Sequence, residues 1–134
     1  MGTSNLKDHL VDKTQLDTMV KTYDSKNYAA INANRIKPDS KEYVFPIELV
    51  EDYLTFVRDE AKKKGYTNLR ISVKMGQYPE QTLLSPIQDP ETKGYQTICF
   101  TAKYDSGSGV SDSAKNDEGI PGMNFGTICP PRIP

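Results

Sequence analysis

The sequence predicts a single α+β domain over residues 1–134: two helices packed on a small, mostly antiparallel sheet, with a mobile loop and a docked C-terminal tail. Three stretches carry that expectation. Ile47 to Lys64 repeats its apolar residues at the helical period, with Leu49, Val50, Tyr53, Leu54, Phe56, Val57 and Ala61 on one broad side. Leu69 to Met75 changes to a period of two, in which Leu69, Ile71, Val73 and Met75 alternate with Arg70, Ser72, Lys74 and Gly76, the pattern of a half-buried strand with one apolar and one polar face. Tyr95 to Tyr104 does the same, with Ile98, Phe100 and Ala102 on one face and Thr97, Cys99, Thr101 and Lys103 on the other.

Residues 1–10 are polar and read as a flexible start. Asp12 and Gln15 have the spacing of a capping box, and Val11 with Leu16 that of a hydrophobic staple, so a helix is expected from about Lys13 to Asp24. Leu16, Met19, Val20 and Tyr23 fall on one face of it. Tyr28 to Ile36 fits the continuation of a helix or the opening of a strand. Lys37-Pro38-Asp39-Ser40 is a turn by composition.

Tyr43-Val44-Phe45 is β-prone and ends at Pro46, which suits a first helical position. Lys62, Lys63 and Lys64 complement the helix dipole at its end, and Gly65 supplies the left-handed stop. Strand, helix and strand in this order predict a short right-handed βαβ unit if the strands run parallel. Between Gln77 and Gly94 three prolines predict an irregular connection with Leu83, Leu84 and Ile87 turned inward. Tyr95–Tyr104 is expected to pair antiparallel with Leu69–Met75. Residues 105–119, rich in Ser, Gly, Asp and Asn, read as a mobile loop. The tail regains Met123, Phe125 and Ile128, and is expected to dock on the second face of the sheet, bringing Cys129 near Cys99.

Composition limits the function classes. The chain has 134 residues, 36% hydrophobic, and a formal net charge of -1. That charge recruits neither nucleic acid nor an anionic membrane. No apolar run approaches the roughly 20 residues of a membrane span, and the first residues lack the apolar region of a secretory signal. Two cysteines make neither a disulfide framework nor a zinc site, and together with these features they predict a cytoplasmic protein.

Each candidate motif has a structural alternative. His9 is the only histidine and sits in the expected flexible start, where a nucleophilic dyad would have no scaffold. Asp105-Ser-Gly-Ser-Gly has the glycines of a phosphate cradle, but no helix follows to aim N–H groups at an anion. Glu48, Glu51 and Asp52 offer carboxylates for a hard metal and a small metal-dependent enzyme, although acids in a first turn commonly serve the helix dipole. Arg70 and Lys74 project from the polar face of the strand, where they can meet an anion or solvent. Tyr78, beside Pro79 at the strand end, is the aromatic placed for ligand contact. Cys129, before Pro130-Pro131, completes a ligand-binding set of Arg70, Lys74, Tyr78 and Cys129. No catalytic residue, metal ligand or cofactor is assigned.

Val44-Phe45-Pro46-Ile47-Glu48-Leu49, Leu69-Arg70-Ile71, Met75-Gly76-Gln77-Tyr78 and Asn124-Phe125-Gly126 followed by Cys129-Pro130-Pro131 resemble a group of small uncharacterised bacterial α+β proteins with an Asn-x-Gly…Cys-Pro-Pro tail. The resemblance spans Tyr43 to Pro131. It implies a single domain and brings no activity. This chain ends in Arg132-Ile133-Pro134, without the further cysteine that such tails can carry.

A sheet of few strands leaves edges open, and open edges accept added strands. The leading expectation is therefore a protein-interaction module without catalytic activity, joined to a protein partner or forming a homodimer through an exposed sheet edge. The alternative is a small-molecule or anion-binding protein using the polar sheet face.

Overall fold

The computed structural model of the chain describes residues 5–106, 110–112 and 119–133. It is an α+β fold with two small antiparallel sheets. The chain divides into two units, Met1–Asp39 and Ser40–Pro134.

The first unit is helical. A single turn, α1 (Leu6–His9), precedes α2 (Lys13–Tyr23). The capping box expected at Asp12 forms: Gln15 N–H donates to Asp12 Oδ1 at 2.8 Å, and Asp12 N–H donates to Gln15 Oε1 at 2.8 Å. The helix runs on through a π-helical turn, Asp24–Tyr28, into α3 (Ala29–Asn32), so Tyr28 to Asn32 continues a helix and opens no strand. Asn32 Oδ1 accepts from Asp39 N–H at 2.8 Å, and Tyr28 Oη donates to Asp39 O at 2.7 Å, folding the segment after α3 back on it. None of these helices buries a side chain; Leu16, Met19 and Val20 remain about half exposed.

The second unit holds both sheets. After β1 (Glu42–Val44) comes α4 (Ile47–Lys64), within the bounds its periodicity predicts. Pro46 opens it and Gly65 closes it at φ 73°, with Tyr66 N–H returning to Ala61 O at 2.9 Å. Next follow β2 (Thr67–Gln77), a short 3₁₀ turn at Pro90–Thr92, β3 (Gln96–Asp105), β4 (Val110–Asp112) and β5 (Thr127–Cys129). The three-stranded sheet has the order β2-β3-β4, and β2 pairs antiparallel with β3 as expected.

Tyr53, Val57 and Ala61 of α4 are buried with Ala102 and Tyr104 of β3 and with Ile120. Each large side chain so buried contributes about 1.5–3 kcal/mol. Tyr66 stacks on Tyr104 with ring centroids 4.1 Å apart. The helix thus covers β3 and, through Leu69, the start of β2. Its Tyr53 Oη donates to Pro121 O at 2.9 Å, tying the start of the tail to the same core. Burial raises the Tyr53 phenol above its ordinary pKa.

Four expectations are corrected here. First, β1 does not pair with β2. It pairs antiparallel with β5 of the tail, Tyr43 facing Ile128, so no βαβ unit forms. Secondly, the apolar face of β2 is covered only at its start: Leu69 packs against the core, whereas Ile71, Val73 and Met75 are 40%, 54% and 69% exposed. α4 covers β3 and the start of β2, and the exposure of β2 rises along the strand beyond it. Thirdly, Leu83, Leu84 and Ile87 are exposed, and Gln88 and Thr92 are buried in their place. Hydrogen bonds rather than apolar contacts hold that connection, with Gln88 Oε1 accepting from Leu84 N–H at 2.9 Å and Gln88 Nε2 donating to Thr92 Oγ1 at 3.1 Å. Fourthly, the stretch 105–119 contains β4, paired with Lys103–Asp105. Residues 107–109 and 113–118 of that expected mobile loop, and 1–4 of the expected flexible start, lie outside the described residues.

Candidate functional site

The register of the long sheet decides what its outer edge offers. Phe100 N–H donates to Met123 O at 2.9 Å, and Met123 N–H donates to Phe100 O at 2.8 Å. Both main-chain groups of Phe100 therefore point away from β2. Val73 stands opposite Phe100, so the two form a non-hydrogen-bonded pair, and the N–H and C=O of Val73 point to the outer edge. The alternation carries this orientation to Ile71, opposite Ala102, and Met75, opposite Ile98. Among the described residues no strand pairs with that edge. The same three residues thus present exposed apolar side chains and outward main-chain donors and acceptors.

The usable edge has limits. Asn68 adopts φ 53°, and the register shifts between Thr67 and Arg70, a bulge that interrupts the ladder. At the other end Pro79 follows Tyr78. Arg70 to Gln77 is the regular part.

The polar face of β2 carries two of the expected ligand residues. Arg70 donates to Asp105 Oδ1 at 3.2 Å, an exposed pair that answers its charge, and Lys74 stands opposite Cys99. Tyr78 lies roughly 26 Å along the chain from Arg70 at the rise of a strand. It is buried and belongs to a different place, the junction with the tail. Cys129 is buried on β5, and burial, followed by the nearby Glu42 charge, raises its thiol pKa. Arg70 and Lys74 therefore share one strand face, whereas Tyr78 and Cys129 border the tail.

The tail reaches the polar sheet face through Asn124. Its Oδ1 accepts from Thr97 Oγ1 and from Tyr78 Oη, each at 3.2 Å, and its Nδ2 donates to Cys99 Sγ at 3.6 Å. Cys99 thus meets Asn124, while Cys129 continues into the ladder with Glu42; both thiols are free. Next to Asn124, Phe125 at φ 67° stacks on Tyr78 with centroids 6.1 Å apart.

Beside this stack opens a cavity of about 380 Å³, with Tyr78, Phe125, Ile128, Asp89 and Arg132 in its wall. Arg132 binds Asp89 through Nε at 2.6 Å and Nη2 at 3.0 Å, and Glu91 through Nη2 at 2.8 Å. The Arg132 guanidinium holds the Asp89 carboxyl below its ordinary range. Two carboxylates against one guanidinium leave this rim unsuited to an anion. Sequence reasoning missed Arg132, because its partners lie far back in the chain and no local spacing announces them.

Glu48, Glu51 and Asp52 are exposed on α4, and among the described residues no group of three or more His, Cys, Asp or Glu side chains converges to hold a metal. Among the same residues no helix is long and apolar enough to cross a membrane. No family model, no curated protein and no solved structure matches this chain.

Proposed function

We propose that this chain is a cytosolic protein-interaction module that accepts an extended strand along the outer edge of β2. The supporting observation is the coincidence at Ile71, Val73 and Met75 of outward main-chain groups with exposed apolar side chains. Main-chain bonding supplies affinity in strand addition, and alternate side chains supply selectivity. In this reading the chain is a module of the small bacterial group that its tail resembles, and the tail secures the sheet that carries the edge.

The test is native mass spectrometry of the chain isolated from its host, followed by amide hydrogen exchange on the assembly recovered. The expected result is an assembly in which the amides of Ile71, Val73 and Met75 are protected relative to the single chain. A bare chain at every concentration, or an assembly that leaves those amides unprotected, rejects the proposal.

The cavity beside Tyr78 favours a second reading, a small-molecule site. Its volume lies within the ~300–1,000 Å³ of ligand pockets. The acid-rich rim around Arg132 selects a neutral or cationic compound with an apolar body to lie against Phe125 and Ile87, in a wall that Tyr78 supports from behind. A small added mass in the same spectrum, lost in Tyr78→Ala, is the result this reading requires.

A further inference from the structure

We infer that the strand received by β2 is β2 of a second copy of this chain, paired antiparallel about a two-fold axis at Val73. The inference rests on the proposed edge pairing and adds the partner and the register.

Only some registers let a strand pair with its own copy. The outward groups belong to Ile71, Val73 and Met75, and by the same alternation to Gln77, so these odd-numbered residues must face one another across the axis. An axis at Val73 sets Val73 opposite its counterpart and Ile71 opposite the second copy's Met75. All three apolar residues then form one uninterrupted stripe. On the polar face Ser72 meets Lys74, and Arg70 meets Gly76, which leaves room for the long arginine side chain. Like charges directly opposite one another destabilise a pair. Moving the axis to Ser72 sets Arg70 against Lys74 twice, and moving it to Lys74 sets Lys74 against itself. An axis at Ile71 runs the pairing into the bulge at Asn68, and one at Met75 sets Ile71 opposite Pro79, which has no N–H to give. The axis at Val73 avoids these faults and uses Arg70 to Gly76 of the regular edge.

The second copy has room. α4 meets β2 only toward its start, where Leu54, Val57 and Arg58 border Leu69 to Ile71. An axis at Val73 sets that end opposite Met75 and Gln77 of the second copy, and Met75 is the most exposed of the three apolar residues. The floor of the joint is the stripe of Ile71, Val73 and Met75 from both copies. Leu49 and Phe56, each 39% exposed, add apolar surface on α4 itself. The product is a continuous six-stranded antiparallel sheet built from two copies of β4-β3-β2.

Charge complementation tests both partner and register. In Val73→Lys two ammonium groups face each other across the axis, and in Val73→Glu two carboxylates do so. Each variant alone should self-associate on the order of tenfold more weakly than the parent, or worse, in sedimentation equilibrium at low salt. An equimolar mixture should recover the dimer, which a variant that fails to fold cannot do. Dimerisation of the parent that survives in either variant alone, or a mixture that stays monomeric, overturns the inference. A monomeric parent whose Ile71, Val73 and Met75 amides become protected by a different protein also overturns it, and leaves the edge-pairing function standing.

Discussion

The Tyr78 hydroxyl donates to Asn124 Oδ1 at 3.2 Å, and through that one amide the strand end, Thr97, Cys99 and the tail are held together. The tail is therefore a structural part of the sheet. Its asparagine uses both amide atoms, accepting twice and donating once, which neither aspartate nor leucine can reproduce.

Asn124→Ala leaves the buried Tyr78 hydroxyl and the Thr97 hydroxyl without this acceptor. Leaving a buried polar group unsatisfied costs about 1–3 kcal/mol, so the variant should lose at least that much stability in urea unfolding. Tyr78→Phe removes one bond and keeps the stack on Phe125, and should cost less, about 1 kcal/mol.

Gly126 is required by a close approach. A Cβ there would stand 2.7 Å from Val44 O and 2.8 Å from Phe45 Cε2. Gly126→Ala should destabilise the chain by about 1–3 kcal/mol, because β1 and β5 must separate to admit it. Gly76→Ala is the control: its Cβ meets Thr97 Cγ2 at 3.6 Å, an ordinary contact, and thermal unfolding should register little loss.

The Asp89–Arg132 pair gives a pH signature with a definite sign. The folded carboxyl titrates below its unfolded value, so the pair's stabilising effect is present above the ordinary aspartate range and is lost as pH falls through the lowered value. A carboxyl-detected NMR titration should place the Asp89 midpoint below that of an ordinary aspartate. In Arg132→Ala it should return toward the ordinary value. An unchanged midpoint would remove the guanidinium as the cause.

Cys129 should resist thiol reagents. Burial and the Glu42 charge both raise its pKa, so at pH 8 it stays protonated and enclosed. Colorimetric thiol titration of the native chain should show one slow cysteine that reacts at once in denaturant, identified by its loss in Cys129→Ser.

Local periodicity made α4 and the pairing of β2 with β3 legible, because each alternates over many residues and each end carries its own stop signal, Pro46 and Gly65 among them. The partner of β1 was not legible. Three residues show no period, and Tyr43 gives no sign that Ile128 is its neighbour. Alternation in β2 announced which face is apolar but not how far along the strand α4 would cover it, so the whole stripe was expected inside. Tyr78 was legible as an aromatic at a strand end. Its cavity was not, since Arg132 and Asp89 come together only when the tail closes on the connection before β3.

The pairing of β1 with β5 also sets an order of events during synthesis. Glu42–Val44 leaves the ribosome with no ladder partner, while α4, β2 and β3 find theirs among near neighbours in sequence. Roughly 80 residues must follow before Thr127–Cys129 exists, about 4–16 s at common elongation rates of ~5–20 residues per second. For that interval the nascent chain carries Tyr43 and Val44 exposed, and whatever guards young chains from one another in the cell has that segment to shield until the last strand is made.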